Sequence, residues 1–207
     1  MLAQEIPPPK PPFIASAPDP GDWTLLIKES SATQPGQGGS SKSGYGIVEV
    51  HSTQVGKVKR DIITYAGGAK QERWFAENVL LWKGPDGDVI AGDMRDAGPG
   101  TGGGSIPSVP TGFPGLAWLS VSNYDKVVPL GKRSCYHFSQ ESKDAWIDVE
   151  TKLPVASKFG DLYFAYTFNS PPSEALKFPA EYQKTWDQYQ ARLNRAAEFQ
   201  KSLSNNQ

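Results

Sequence analysis

Residues 154–168 have the sequence PVASKFGDLYFAYTF, and this stretch decides the fold class. Every second residue from Leu162 to Phe168 is a large apolar or aromatic residue. Because successive side chains of a strand point to opposite faces, this alternation predicts a strand with one buried face. The apolar segment Pro154–Phe159 comes just before it, and Gly160 between the two is typical of a tight turn. The stretch therefore predicts an antiparallel hairpin.

The same pattern extends outward from this hairpin in the N-terminal direction. Three further strands separated by short polar or glycine-containing turns are predicted at Lys126–Leu130, Ser134–Phe138 and Ala145–Val149. The first half of the chain adds shorter segments of the same kind: Asp22–Lys28, Tyr45–His51, Lys57–Tyr65, Arg73–Phe75, Val79–Trp82 and Val89–Ile90. The fold class is therefore predicted to be mainly β (α+β), a curved antiparallel meander or unclosed half-barrel with a C-terminal helix packed on it.

The C-terminal segment 180–203 contains strong helix formers and lacks glycine and proline, and Pro179 suits the start of a helix. Apolar residues spaced four, three and four apart form one stripe of this helix: Tyr182, Trp186, Tyr189 and Leu193. The stripe predicts that the helix docks on its own sheet. A homodimer through the same four residues is the alternative.

Proline dominates the first residues, which predicts a leader over 1–21 followed by a single β-rich domain over 22–207. Polyproline segments favour extended conformations and cannot supply regular ladder hydrogen bonds, so a spacer is the expected structure. A flexible loop is predicted around Pro35–Ser41, and the Gly/Pro-rich segment 93–115 is a candidate lid. Phe113–Tyr124 has a weak apolar periodicity that suggests a short helix.

The composition and net charge of the chain restrict the classes of molecule that it can bind and the class of protein to which it belongs. The chain has 21 Lys and Arg against 22 Asp and Glu, so it lacks the overall positive field that collects nucleic acid. Its apolar runs are all too short to cross a bilayer. Cys135 is the only cysteine, which excludes a disulfide scaffold. Leu2-Ala3-Gln4 is similar to the sequence left at the start of a chain after a signal peptide is cleaved behind a small residue. We therefore expect a periplasmic or extracellular location.

The sequence contains only incomplete forms of the motifs that bind nucleotides or metals or that catalyse hydrolysis. The run from Gly98 to Gly103 matches G-x-G-x-x-G, but the prolines after it do not allow a helix to open there, so no nucleotide cofactor is expected. Cys135 and His137 share a strand face but lack further His or Cys partners, so no metal site is expected. The acids Asp144, Asp148 and Glu150 are a weak basis for a hydrolase.

Aromatic residues are abundant in the predicted strands, and they are the candidate ligand-binding residues. An apolar cavity would be lined by Trp74, Trp82, Trp146, Phe164, Tyr166 and Phe168. The alternative is that these side chains simply fill the core of a curved sheet.

The tract Cys135-Tyr136-His137-Phe138, followed by Ala145–Val155 with its Leu153-Pro154 pair, resembles the later strands of the outer-membrane lipoprotein carrier (LolA-like) superfamily. This resemblance implies an unclosed half-barrel whose apolar concave face holds lipid acyl chains in the bacterial periplasm. The long Gly/Pro-rich loop and the terminal helix depart from that family's pattern.

Three functions are compared on these grounds. The first is a periplasmic or secreted non-enzymatic protein that binds a lipid or other apolar ligand on a curved sheet. The second is a structural or protein-interaction module with a self-filled core and no small-molecule ligand. The third is a hydrolase built on scattered carboxylates, for which the sequence shows no complete catalytic set.

Overall fold

The computed structural model describes residues 6–29, 46–94, 113 and 115–204. Eleven strands and one long helix make up its regular structure. The strands are β1 Gly21–Glu29, β2 Ile47–Val55, β3 Val58–Tyr65, β4 Lys70–Ala76, β5 Val79–Lys83, β6 Val89–Asp93, β7 Tyr124–Leu130, β8 Arg133–Gln140, β9 Lys143–Asp148, β10 Pro154–Phe159 and β11 Leu162–Phe168, and the helix is α1 Ala180–Ser204.

All eleven strands form one antiparallel sheet with the order β6-β5-β4-β3-β2-β1-β11-β10-β9-β8-β7. Two meanders, β1 to β6 and β7 to β11, therefore meet where the first strand pairs with the last. β6 and β7 lie at opposite ends of the sheet, so the half-barrel is unclosed. The predicted fold class is confirmed, including the helix packed on the sheet.

Strand alternation sorts the side chains onto two faces. We call the face that carries Trp23, Leu25 and Ile27 the core face, and the face that carries Trp74 and Leu81 the helix face. On the core face Leu25 lies opposite both Val50 and Tyr166, and all three side chains are buried. Further along the sheet, Phe138, Ala145 and Ile147 are fully buried on the same face.

The Pro-rich segment contacts the core face instead of extending as a spacer. Ile6, Phe13 and Ile14 pack against the cluster formed by β8 and β9. The rings of Phe13 and Phe138 meet edge to face with centroids 5.7 Å apart, and the Ala15 amide donates to the Lys152 carbonyl at 2.8 Å. Prolines restrict this segment to an extended path, but the apolar residues between them bind it to the sheet.

The weak periodicity of Phe113–Tyr124 does not produce an α-helix. Only Val121–Asn123 forms a single 3₁₀ turn. Leu116 and Leu119 are nevertheless buried against the β8–β9 cluster. The apolar spacing therefore marks the buried residues of an irregular segment that covers the sheet.

Helix α1 covers the helix face at the β4–β6 end of the sheet. Tyr182 is only 1% exposed and packs beside Trp74, with ring centroids 6.2 Å apart. Glu181 forms an ion pair with Lys83 at 2.8 Å, and the Tyr189 hydroxyl donates to Asp93 at 3.3 Å. The predicted docking on its own sheet is therefore observed for the first half of the helix.

The proposed dimer surface is mostly used within the chain. Tyr182 and Tyr189 are buried, and Trp186 is half-buried between Phe178 and Tyr189. Leu193 alone of the four is exposed. The residues of the second half of the helix, from Ala191 to Ser204, are all exposed.

Replacing Tyr182 by Ala should therefore destabilise the fold. Truncation of a fully buried aromatic side chain costs about 3–5 kcal/mol, and the hole would open between Trp74 and the helix. Thermal unfolding followed by circular dichroism measures the effect. Lys184→Ala, at an exposed position two residues along the same helix, is the matched control and should leave the melting temperature unchanged. Equal melting temperatures for the two variants would show that the helix is not part of the cooperative fold.

Candidate functional site

The sheet divides the six candidate aromatic residues between its two faces. Trp74 and Trp146 lie on the helix face, whereas the other four lie on the core face: Trp82, Phe164, Tyr166 and Phe168. Trp74 on β4 and Trp146 on β9 are also separated by many strands in the sheet order. The six residues therefore do not line one common cavity.

The three tryptophans have separate surroundings. Trp74 is covered by Phe178 and Tyr182 under the helix. Trp82 lies across Gly92, where a Cβ atom would stand 3.2 Å from its ring, so the glycine makes room for the indole. Trp146 stacks on His137 with ring centroids 5.2 Å apart. These are packing roles on three different parts of the sheet.

Three of the aromatic residues of β11, Phe164, Tyr166 and Phe168, lie together on the core face. Phe113 reaches from the covering segment to Tyr166 and Phe168, with ring centroids 5.8 Å and 5.9 Å away, and also contacts Trp23. Tyr166 is 4% exposed, while Phe164 and Phe168 are half-buried. The half-buried Phe164 borders an opening in this covered surface.

That opening is a cleft of about 210 Å³ between the covering segment and strands β10 and β11. We call it the Phe164 cleft. Its lining residues are Gly115, Leu116, Trp118, Ser157, Lys158, Phe159 and Phe164. Four of these are large and apolar, and Phe159 keeps 53% of its surface exposed. An exposed aromatic ring beside an apolar cleft can contact a ligand, and burial of the ring by that ligand is favourable.

A larger depression of about 650 Å³ lies near the β2–β3 and β4–β5 turns. Its lining is more polar and includes Lys57, Lys59 and Glu77. Lys57 is paired with Glu77 at 3.2 Å, and Lys59 with the buried Asp61 at 3.1 Å. Both ammonium groups thus already have a carboxylate partner, and the depression suits an apolar molecule less well than the smaller cleft.

A buried polar network stands beside this depression on the core face. Asp61 has no exposed surface, and it accepts hydrogen bonds from Ser52 at 2.7 Å and from Lys59 at 3.1 Å. Arg73 is directly opposite Asp61 in the strand register and is 3% exposed. Burial lowers the pKa of Arg73, and the charges of Tyr65 and Asp61 offset part of that effect. The partners of the Asp61 carboxylate thus lie within the sheet itself.

The two histidines are engaged by aspartates on the helix face. His51 Nε2 lies 2.9 Å from Asp22, which also accepts hydrogen bonds from Thr53 and Asn169. His137 places Nδ1 3.1 Å from Asp125 and Nε2 3.3 Å from Asp144. Each ring nitrogen of His137 thus faces a carboxylate oxygen. Sequence reasoning missed both pairs, since each aspartate comes from a strand position that only the register brings near.

Cys135 and Asp148 have structural roles. Cys135 is fully buried, and desolvation together with the charge of Asp148 raises the pKa of its thiol, which keeps it in the unreactive form. Asp148 Oδ1 accepts from the Thr151 and Glu150 amides at 2.8 Å and 3.0 Å and so closes the turn after β9. Within the described residues no group of three His, Cys, Asp or Glu side chains could hold a metal ion.

Two sequence features lie outside the described residues. These are the G-x-G-x-x-G match at 98–103, with most of the Gly/Pro-rich segment around it, and the glycine-rich stretch 35–41.

Neither a protein-family model nor a curated protein sequence matches this chain. In the part of the chain that the structure describes, no helix is both long enough and apolar enough to cross a membrane.

Asp22 should make stability depend on pH. Burial raises the pKa of this carboxyl, but hydrogen bonds from Asn169, His51 and Thr53 outweigh burial and leave the pKa below the ordinary value of 3.8. A lowered folded-state pKa contributes stability above the unfolded-state pKa, and this contribution is lost as the pH falls through the folded-state pKa.

Melting curves of the wild type and Asp22→Asn should thus differ at about pH 5 and converge toward about pH 3. Asp86→Asn, in the exposed turn between β5 and β6, is the control and should show no such difference at either pH. A gap between wild type and Asp22→Asn that stays constant over this range would contradict the charged role of Asp22.

Proposed function

We propose that this protein is a non-enzymatic binding protein that holds a lipid chain or another apolar molecule in the Phe164 cleft. The observation that carries the proposal is the cleft itself, an apolar opening beside the packed clusters of the core face. An apolar protein cavity of about 150 Å³ is large enough for benzene. The Phe164 cleft, at about 210 Å³, has room for a small substituted ring or the end of one acyl chain.

The cover over the cleft supports a binding role. Gly115, Leu116 and Trp118 belong to an irregular segment, in which the Leu119 amide donates to the Leu116 carbonyl at 3.3 Å and not to a strand of the sheet. Displacing a segment of this kind does not break a strand ladder, so it costs less than opening the sheet. Apolar molecules can enter under such a cover.

The engaged polar groups support the non-enzymatic part of the proposal. His51, His137 and Asp148, which would be the first candidates for acid–base chemistry, are each held by partners of the fold. None of the three lines the Phe164 cleft.

A periplasmic or secreted location is part of the same proposal. The resemblance of residues 135–155 to the lipoprotein-carrier superfamily supports it, because proteins of that superfamily carry lipid in the bacterial periplasm. Fractionation of cells that produce the protein from its native gene tests this location, and recovery in the cytoplasm alone would contradict it.

A protein-interaction role is the second candidate, and one surface favours it. Phe199 and Leu203 are 64% and 54% exposed and lie one turn apart on the exposed half of α1. A second copy of the chain is the proposed occupant, because Ala196, Phe199 and Leu203 are spaced three and four apart, as on the seam between two paired helices. Light scattering should then give the mass of a dimer for the wild type and of a monomer for Phe199→Ser. A monomeric wild type would contradict this role.

Phe159→Ser should weaken binding of an apolar probe to the cleft. The substitution removes one apolar wall at an exposed position, so the fold should be retained. The probe is 4-propyltoluene, titrated into the protein and followed by nuclear magnetic resonance. We expect the dissociation constant to rise about tenfold, since a contact of this size is worth about 1.4 kcal/mol.

Phe199→Ser is the matched control, because it removes an equally exposed phenylalanine far from the cleft. It should bind 4-propyltoluene as the wild type does. Absence of saturable binding to the wild type, or an equal loss in both variants, would contradict the proposed function.

A further inference from the structure

A lysine stands on the core face at the edge of the Phe164 cleft. Lys143 on β9 is directly opposite Phe159 in the strand register, and its Nζ lies 5.3 Å from the centroid of the Phe159 ring. Phe159 forms one wall of the cleft. Because residues directly opposite each other in an antiparallel pair share a face, the Lys143 side chain lies on the cleft side of the sheet.

Lys158 also borders the cleft, but its side chain belongs to the other face. It stands between Ser157 and Phe159 along β10, and successive side chains of a strand alternate between the two faces. Lys158 is accordingly opposite Asp144 on the helix face. Lys143 is therefore the cation that a molecule in the cleft would meet.

The neighbours of Lys143 do not neutralise its charge. In the register Lys143 lies between Gln140 and Phe159, and neither of these is acidic. The adjacent Asp144 is on the opposite face, 3.3 Å from His137. Among the described residues no carboxylate forms an ion pair with Lys143. Its half-buried ammonium rests on an aromatic ring and keeps donors for an anion.

The size of the cleft restricts the rest of the molecule. At about 210 Å³ it holds one chain end or one small ring. Phe159, which is 53% exposed, marks the mouth where the apolar lining ends and solvent begins. A single ammonium at this mouth matches a single negative charge. A molecule with hydrocarbon at one end and one carboxylate at the other fits both features.

We propose that the ligand of the Phe164 cleft is an amphipathic monocarboxylate. Its hydrocarbon part lies between Leu116, Trp118 and Phe164, and its carboxylate pairs with the Lys143 ammonium beside Phe159. This inference rests on the proposed function, since it assigns the ligand class of the same cleft.

The experiment compares three probes of similar size: 4-propylbenzoate, 4-propylbenzamide and 4-propyltoluene. The benzamide has nearly the shape of the benzoate and keeps a hydrogen-bonding oxygen, but it has no charge. Wild-type protein should bind the benzoate about fivefold more tightly than the benzamide, which is the upper end of what a partly exposed ion pair contributes. Lys143→Gln should bind the benzoate and the benzamide equally. Lys143→Arg, which retains the positive charge, should keep the preference for the benzoate.

Lys184→Gln is the matched control, because it removes the same charge from an exposed position on α1, far from the cleft. It should keep the full preference for the benzoate. Ionic strength gives a second test that needs no variant. Raising it from about 0.01 M to about 1 M shortens the screening length from about 30 Å to about 3 Å, so most of the preference of the wild type should disappear. A preference that salt does not change would overturn the ion pair.

The possible failures are distinguishable. If the wild type binds 4-propyltoluene but binds the benzoate no more tightly than the benzamide, or if Lys143→Gln keeps the preference, the ligand class is wrong and the apolar site stands. An equal loss in Lys143→Gln and Lys184→Gln would assign the preference to the overall charge of the protein and also overturn the inference. If none of the three probes binds, the proposed function and this inference are both overturned.

Discussion

The pairing of β1 with β11 is the constraint on which the rest of the structure depends. It joins residues from opposite ends of the chain in a seven-pair register from Trp23 with Phe168 to Glu29 with Leu162. Asn169 extends the seam by donating to Asp22 at 2.7 Å. Without this seam the two meanders would be separate sheets, each with an additional open edge, and unpaired edges are costly and prone to aggregation. The seam also places Leu25 against Tyr166, so the core face is continuous across it.

The two faces of this sheet are covered in different ways, and the difference bears on function. The helix covers one end of the helix face with interdigitated aromatic rings around Trp74 and Tyr182. Irregular segments around Phe13, Phe113 and Leu116 cover the core face. A long regular helix packs as one unit, whereas an irregular cover leaves gaps. The Phe164 cleft is such a gap, and it borders β11, one of the two strands of the seam.

Much of the fold could be predicted from the sequence because its signals are local. Alternation along β11 and the apolar segment before Gly160 predicted β11 and β10 to the residue, and the run of helix formers after Pro179 predicted the helix within one residue of its end. Strand order depends on pairing between distant segments, which local patterns do not encode. For the same reason the sequence could not divide the six aromatic residues between two faces. The packing of Phe13 was missed because proline content predicts an extended backbone and says nothing about what the residues between the prolines contact.

Hydrogen exchange measured by mass spectrometry, with and without saturating 4-propyltoluene, tests most directly whether the core face at β10 and β11 is a binding surface. Ligand in the Phe164 cleft should slow exchange in the covering segment 115–119 and in strands β10 and β11, and leave strands β4 and β5 under the helix unchanged. Protection confined to β4, β5 and the helix, or no change anywhere in the chain, would contradict a ligand site in this cleft.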